Sequence, residues 1–233
     1  MTENERLFLT YDEAIEALSN DFEQYPTQST LLDGLMPLVF GDHAYLIRKA
    51  KASMVWVKIP GMKKPHPVKA DQLGQWLVAQ LRRQPVPLDQ LAKICARVFQ
   101  TPVTAASGGR GGTPPGLLVD TGMKDFICVQ CGQCCRTLNY RDGCSVADYR
   151  RWQELGRDDI LQWVGAVRQA GRIVACRIWM EPGTNRYATQ CPWLKPSDDQ
   201  NRYTCTIHAV RPSICRQYPG SRKHARMTGC PGV

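Results

Sequence analysis

Four cysteines fall within eight residues, Cys128, Cys131, Cys134 and Cys135, in the run FICVQCGQCCRTLN that spans 126–139. Sulfur at Cys-x2-Cys spacing is metal-ligand chemistry, because a tight turn between the two residues lets both thiolates reach one ion, at about 2.3 Å each for zinc. The run holds two overlapping copies, Cys128/Cys131 and Cys131/Cys134, and Gly132 supplies the backbone freedom such a turn needs. Three thiols at this spacing also match the start of the bacterial ferredoxin run, which a remote Cys-Pro completes around an iron–sulfur cluster. Two Cys-Pro pairs are present, Cys191-Pro192 and Cys230-Pro231. The radical-SAM spacing, three residues and then two, is absent. Adjacent cysteines project in different directions, so Cys134 and Cys135 are expected to serve different sites, or to divide between binding and packing.

Disulfides explain the sulfur poorly. The chain has 11 cysteines, an odd number, and its first residues carry early acidic groups and no apolar leader. No run of 18 or more apolar residues suggests a membrane-spanning helix. A cytoplasmic location with reduced thiols is the resulting expectation. Ten of the 11 cysteines lie from Cys128 onward, and only Cys95 precedes them. Cys95, on an apolar helical face, and Cys176, in an alternating strand, read as buried core sulfur.

Three further groups extend the cluster. Cys191 sits in CPWL, Cys205 and Cys215 sit in CTIHAVRPSICRQYP, and Cys230 sits in GCPG. The order CVQCGQCC, CPWL, CTIHAVRPSICRQYP, GC resembles the CxxCxxCC (YkgJ-type) cysteine-cluster family, a zinc- or iron-chelating domain. Some relatives are labelled Fe–S oxidoreductases, and flagellin lysine N-methylases carry a related cluster. The resemblance covers about 126–233 and leaves 1–120 unexplained. Carried over by position, it implies eight metal ligands: Cys128, Cys131, Cys134, Cys135, Cys191, Cys205, Cys215 and Cys230. Eight thiols suit two four-sulfur sites or one binuclear cluster, and the resemblance does not divide them. Cys144 and Cys176 are not family positions, and the family accepts Tyr where this chain has His208, so packing is expected there. Arg136, Arg211 and Arg216 are expected to donate to thiolates or to a backbone turn. Tyr218-Pro219 is expected to pack over the site.

The elements that must position these residues divide into two parts. Thr10 and Glu13 have capping-box form before a helix bearing Ile15, Leu18 and Phe22. Residues 31–40 are apolar but interrupted by Gly34 and Pro37, and are assigned to no element. Residues 44–50 and 53–60 read as strands; Asp71 and Pro87 each open an amphipathic helix. Residues 107–116, SGGRGGTPPG, fit neither phosphate-loop fingerprint and read as a flexible linker. Beyond it, Ser145 and Asp148 form a second capping box. A helix is expected from Asp158 or Asp159 through Val164 and Val167 to Gly171. A strand follows at 172–180, returning across the Glu181–Asn185 turn. The expected fold is α+β: a mainly helical N-terminal domain (1–106), a linker (107–116), and an irregular, metal-stapled cysteine-rich domain (117–233) with short helices and a small sheet.

The charge of +9 is uneven, with a balance of +1 over 1–120 and +8 over 121–233, where 14 of 17 cations are Arg. Arg beside bound thiolates explains this better than a nucleic-acid face, because no cation block with interleaved aromatics stands out. The reading is therefore a protein that binds zinc or iron, or an iron–sulfur cluster, through about eight thiolates. Two alternatives stand beside it: an Fe–S enzyme of redox or group transfer, or a zinc-ribbon-like nucleic-acid binder. No nucleophile or acid/base pair assigns catalysis, and no membrane partner is expected.

Overall fold

The computed structural model describes residues 6–25, 29–48, 53–107, 114–124, 126–137, 143–198 and 202–233. The chain forms two compact units, Met1–Lys124 and Asp125–Val233. Both are mixed α and β, and every strand pairing in them is antiparallel.

The first unit begins with β1 (Arg6–Thr10) and α1 (Tyr11–Gln24). The Thr10 hydroxyl accepts from the Glu13 N–H while the Glu13 carboxylate accepts from the Thr10 N–H at 2.8 Å, which is the capping box read from sequence. Next come α2 (Ser29–Phe40), then β2 (Tyr45–Arg48), β3 (Met54–Lys58) and β4 (His66–Lys69). They are followed by α3 (Leu73–Arg83), α4 (Leu88–Phe99), β5 (Val103–Ala106) and β6 (Gly116–Asp120). Helix α2 occupies the stretch that Gly34 and Pro37 left unassigned. Burial of Leu32, Leu35 and Met36 outweighs the poor local propensity. Gly34 earns its place by letting Arg97 donate to its carbonyl at 3.2 Å, where an added Cβ would stand 2.6 Å from the guanidinium. Cys95 is fully buried in this unit's core, as expected.

Two three-stranded sheets, β1-β6-β5 and β2-β3-β4, make this unit richer in sheet than the sequence suggested. The first corrects the domain boundary. Strand β6 lies between β1 and β5, with Leu117 opposite both Leu9 and Ala105, so residues expected to begin the second domain belong to the first unit. The Gly-rich stretch connects two paired strands, with Ala106 opposite Gly116, and does not separate two domains. Its residues 108–113 lie outside the described residues.

The second unit contains α5 (Gln133–Thr137), α6 (Val146–Glu154), α7 (Asp158–Leu161), β7 (Val164–Gln169) and β8 (Arg172–Ile178). It continues with β9 (Leu194–Pro196), β10 (Tyr203–Cys205), α8 (Ser213–Gln217) and α9 (Arg222–Met227). The helix expected to run to Gly171 stops at Leu161. Residues 164–169 are instead a strand, because pairing with β8 satisfies both backbones and Gly165 lets Met180 close in. The two-residue turn Ala170-Gly171 has positive φ at both positions, 48° and 76°, the type I′ geometry that matches strand twist. The return across 181–185 is only a Met180–Tyr187 bridge flanked by two backbone hydrogen bonds. The core is small: Trp152, Ile160, Cys176, Ile178, Trp179 and Ile207 with Cys144. Trp179 packs against Trp152 and Trp193, each at a centroid distance of 5.9 Å. Among the described residues no helix is long and apolar enough to cross a membrane.

Candidate metal centre

The cysteine run is shaped by two left-handed residues, Gln130 (φ 56°) and Gly132 (φ 67°). Two left-handed residues so close together curl the backbone tightly around Cys131. The turn is pinned from outside. The Tyr203 N–H donates to the Gln130 carbonyl at 2.8 Å. Arg136 donates to the Cys131 carbonyl at 3.2 Å and to the Tyr203 hydroxyl at 3.3 Å, with its guanidinium 4.8 Å from the Tyr203 ring centroid. Arg136 thus serves the backbone turn, one of the two roles expected of it. A methyl at Gly132 would be strained and would lie 2.9 Å from the Tyr203 ring. Gly132→Ala is expected to cost the second unit about 2–4 kcal/mol, read by chemical denaturation.

Helix α5 starts at Gln133, so Cys134 and Cys135 are helical neighbours about 100° apart around the axis, not opposed as in a strand. Their sulfurs lie 3.9 Å apart, so the two side chains do not diverge as the sequence reading supposed. Around a four-thiolate zinc with bonds of about 2.3 Å, the sulfur–sulfur edge is about 3.8 Å. All 11 cysteines are free thiols.

Cysteines from three remote segments lie near Cys134. Cys205 and Cys215 are each electrostatically coupled to it, Cys215 is coupled to Cys191 and Cys205, and Cys191 to Cys205. Burial pushes the Cys215 thiol up to about 12, reinforced by the neighbouring sulfurs and opposed by Arg211. Cys205 is raised by burial and pulled back by the Ile207 N–H and Arg211, so Arg211 is the cation set beside the thiols. Burial likewise raises Cys191, against the N–H groups of Trp193 and Leu194 and the Trp179 indole. Cys134 is raised first by its hydrogen bond with Cys135 and then by burial. Tyr218 completes one wall. Its hydroxyl meets the Thr228 hydroxyl at 2.6 Å, its ring meets His224 edge-on at 5.0 Å, and it is coupled to Cys230, Cys134 and Cys131. Cys230 lies where the chain end crosses Ile127, since an added Cβ at Gly232 would stand 3.6 Å from its sulfur and 2.8 Å from the Ile127 carbonyl. Cys128 is exposed. So is His208, which is not packed as the sequence reading supposed.

The site also rests on residues that the cysteine spacing does not reveal. Asp148 is 3% exposed. Its carboxylate accepts from the Ser145 hydroxyl (2.8 Å) and N–H (3.2 Å), from the Ser213 hydroxyl (2.6 Å) and N–H (3.0 Å), and from Arg216 (3.4 Å). Arg216 also donates to the Arg211 carbonyl at 2.8 Å, and Trp152 donates to the Val210 carbonyl at 2.7 Å. Helix α6 thereby holds the whole 209–216 segment that presents Cys215. The Ser145-x-x-Asp148 capping box was visible in the sequence, but its second use was not. Cys144 and Cys176 are buried bridge partners, burial pushes both up, and Cys144 is also within electrostatic reach of Cys215.

Among the described residues, no group of three or more His, Cys, Asp or Glu side chains is already disposed to hold an ion. Cys134, Cys191, Cys205 and Cys215 lie close enough for their charges to act on one another. Their chemistry nonetheless fits a soft divalent ion: several half-buried sulfurs, each costly to ionise alone, with the Cys134–Cys135 spacing of a shared ligand edge.

The fold and site define a small mixed α/β unit built around converging thiols. Residues 127–231 match the family model CxxCxxCC, described as "Putative zinc- or iron-chelating domain". No curated protein and no solved structure matches the chain.

Proposed function

We propose that the second unit chelates zinc through Cys128, Cys131, Cys134, Cys135, Cys191, Cys205, Cys215 and Cys230, and that the ion serves to close its fold. The convergence of Cys134, Cys191, Cys205 and Cys215, drawn from four separate segments, carries the reading. These four are the inner set. Cys135 shares their edge, and Cys128, Cys131 and Cys230 come from the turn and the chain end that cross beside Tyr218. The unit has few buried apolar side chains and much irregular chain, the circumstance in which a structural ion contributes most to stability. When bound, the ion supplies the positive charge that lets buried sulfurs ionise. Arg211 lies beside two of them, and the N–H groups around Cys191 help orient its sulfur.

Metal and acid-labile sulfide analysis of protein purified without oxygen tests this. About two zinc ions per chain without sulfide is the expected result, at four of the eight thiolates per ion. Iron with stoichiometric sulfide, and a brown preparation, would replace zinc by an iron–sulfur cluster on the same cysteines.

A further inference from the structure

The balance of +1 over 1–120 conceals a local extreme. Residues 43–70 hold seven Lys and Arg and no Asp or Glu, while the rest of 1–120 holds six cations and 12 acids. Five of the seven cations lie among the described residues, and this segment is the sheet β2-β3-β4.

The pairing register sorts that sheet into two faces. Val55, Val57 and Val68 are buried on one. The other carries Tyr45 opposite Lys58, Ile47 opposite Trp56 opposite Pro67, and Met54 opposite Lys69. Tyr45 is 51% exposed and Ile47 37%, and Trp56 lies half-buried between Ile47 and Pro67. The β3–β4 turn adds exposed Lys63 and Lys64, and Lys58 bonds the Met62 carbonyl to hold that turn against the face. Beside the face, at Met54, Pro67 and Lys69, opens a concavity of about 580 Å³ with Gln72 and Trp76 on its far wall. Arg48 is paired with Asp33 and is not counted among the cations available to a ligand.

Lysines on edge strands also discourage sheet-to-sheet aggregation, and that would account for Lys69 alone. It does not account for an aromatic and aliphatic surface turned to solvent in the middle of the cations. Aromatic faces amid cations on an open antiparallel sheet are what an unstacked base and its phosphate require: stacking for the ring, Coulomb attraction for the backbone. A duplex keeps its bases stacked inside and could use only the charge.

We propose that the outer face of β2-β3-β4 binds single-stranded nucleic acid, with bases on Tyr45 and Trp56 and phosphates at Lys63, Lys64 and Lys69. This site is independent of the thiols of the second unit.

The test is fluorescence anisotropy of the full chain with short labelled oligo-U, oligo-dT and a duplex of equal length, across a salt series. Single strands of either sugar are expected to bind better than duplex. Tyr45→Ala is expected to weaken binding about tenfold. Lys63→Gln with Lys64→Gln is expected to flatten the log–log salt dependence by about 1.4. Ultraviolet crosslinking of the unaltered protein is expected to mark peptides within 43–70, which keeps the test decisive should a variant misfold. The proposal is overturned by absence of single-strand binding at low salt or by equal binding of duplex. It is also overturned by an unchanged affinity in Tyr45→Ala, or by crosslinks confined to 125–233. Binding to heparin or anionic vesicles but not to oligonucleotides would assign the face to another polyanion and equally overturn it.

Discussion

Cys134→Ser is expected to strip the second unit of metal and to unfold it. Cys134 lies 3.9 Å from the Cys135 sulfur, and its charge acts on Cys205, Cys215 and Tyr218. A hydroxyl there is a poorer ligand for a soft ion, and it leaves the remaining buried thiols without the charge that lets them ionise. Structural zinc binds with an apparent free energy of about 10–16 kcal/mol, so even partial loss exceeds the whole stability of a typical small unit, about 5 kcal/mol or more. Elemental analysis reads the first effect, and near-ultraviolet circular dichroism of the packed Trp152, Trp179 and Trp193 reads the second. Cys176→Ala serves as the contrast. It removes a buried sulfur outside the ligand set, and is expected to cost stability while leaving metal content unchanged. Undiminished metal in Cys134→Ser would sink the assignment of the inner four.

What the sequence made legible was local or spaced in small numbers. Both capping boxes, at Thr10/Glu13 and Ser145/Asp148, formed as read, because the chemistry of a cap is complete within four residues. The cysteine run and its family match followed from residue order alone. Where the outcome depended on a distant partner, the reading failed. Glycine content at 107–116 signals flexibility in a hairpin connection as readily as in a linker. Only the pairing of β6 with a strand about 110 residues earlier separates the two. Val164 and Val167 suit a helix face or a strand, and β8 decided it. The basic, aromatic meander at 43–70 escaped notice because charge was summed over half the chain, where acidic helices cancelled it. Composition taken over the length of one sheet would have exposed it.

Asp148→Asn is expected to destabilise the second unit by about 2–3 kcal/mol at neutral pH, the cost of losing hydrogen bonds to a charged, buried acceptor and leaving donors opposed. An amide keeps one acceptor and turns an N–H2 toward the Ser145 or Ser213 donors, which now oppose it. Arg216 contributes little of this, since its pair is 3.4 Å long and its side chain is 39% exposed. Arg216→Gln should therefore cost well under half as much. Burial raises the Asp148 carboxyl, but the hydrogen bonds from Ser213 and Ser145 outweigh it and hold the group below its ordinary value. A depressed carboxyl contributes its stability in full above the unfolded value of about 3.9 and loses it as pH falls through the lower folded value. The gap between Asp148→Asn and the unaltered protein should therefore be constant near neutrality and close only below about pH 4. Urea unfolding of both proteins, followed through the tryptophan cluster with saturating metal, measures it. Because Asp148 ties α6 to the segment bearing Cys215, the variant should also need more metal for half-saturation while keeping the same final stoichiometry. Equal stability of the two proteins at neutral pH would show that Cys215 is held by something other than this carboxylate.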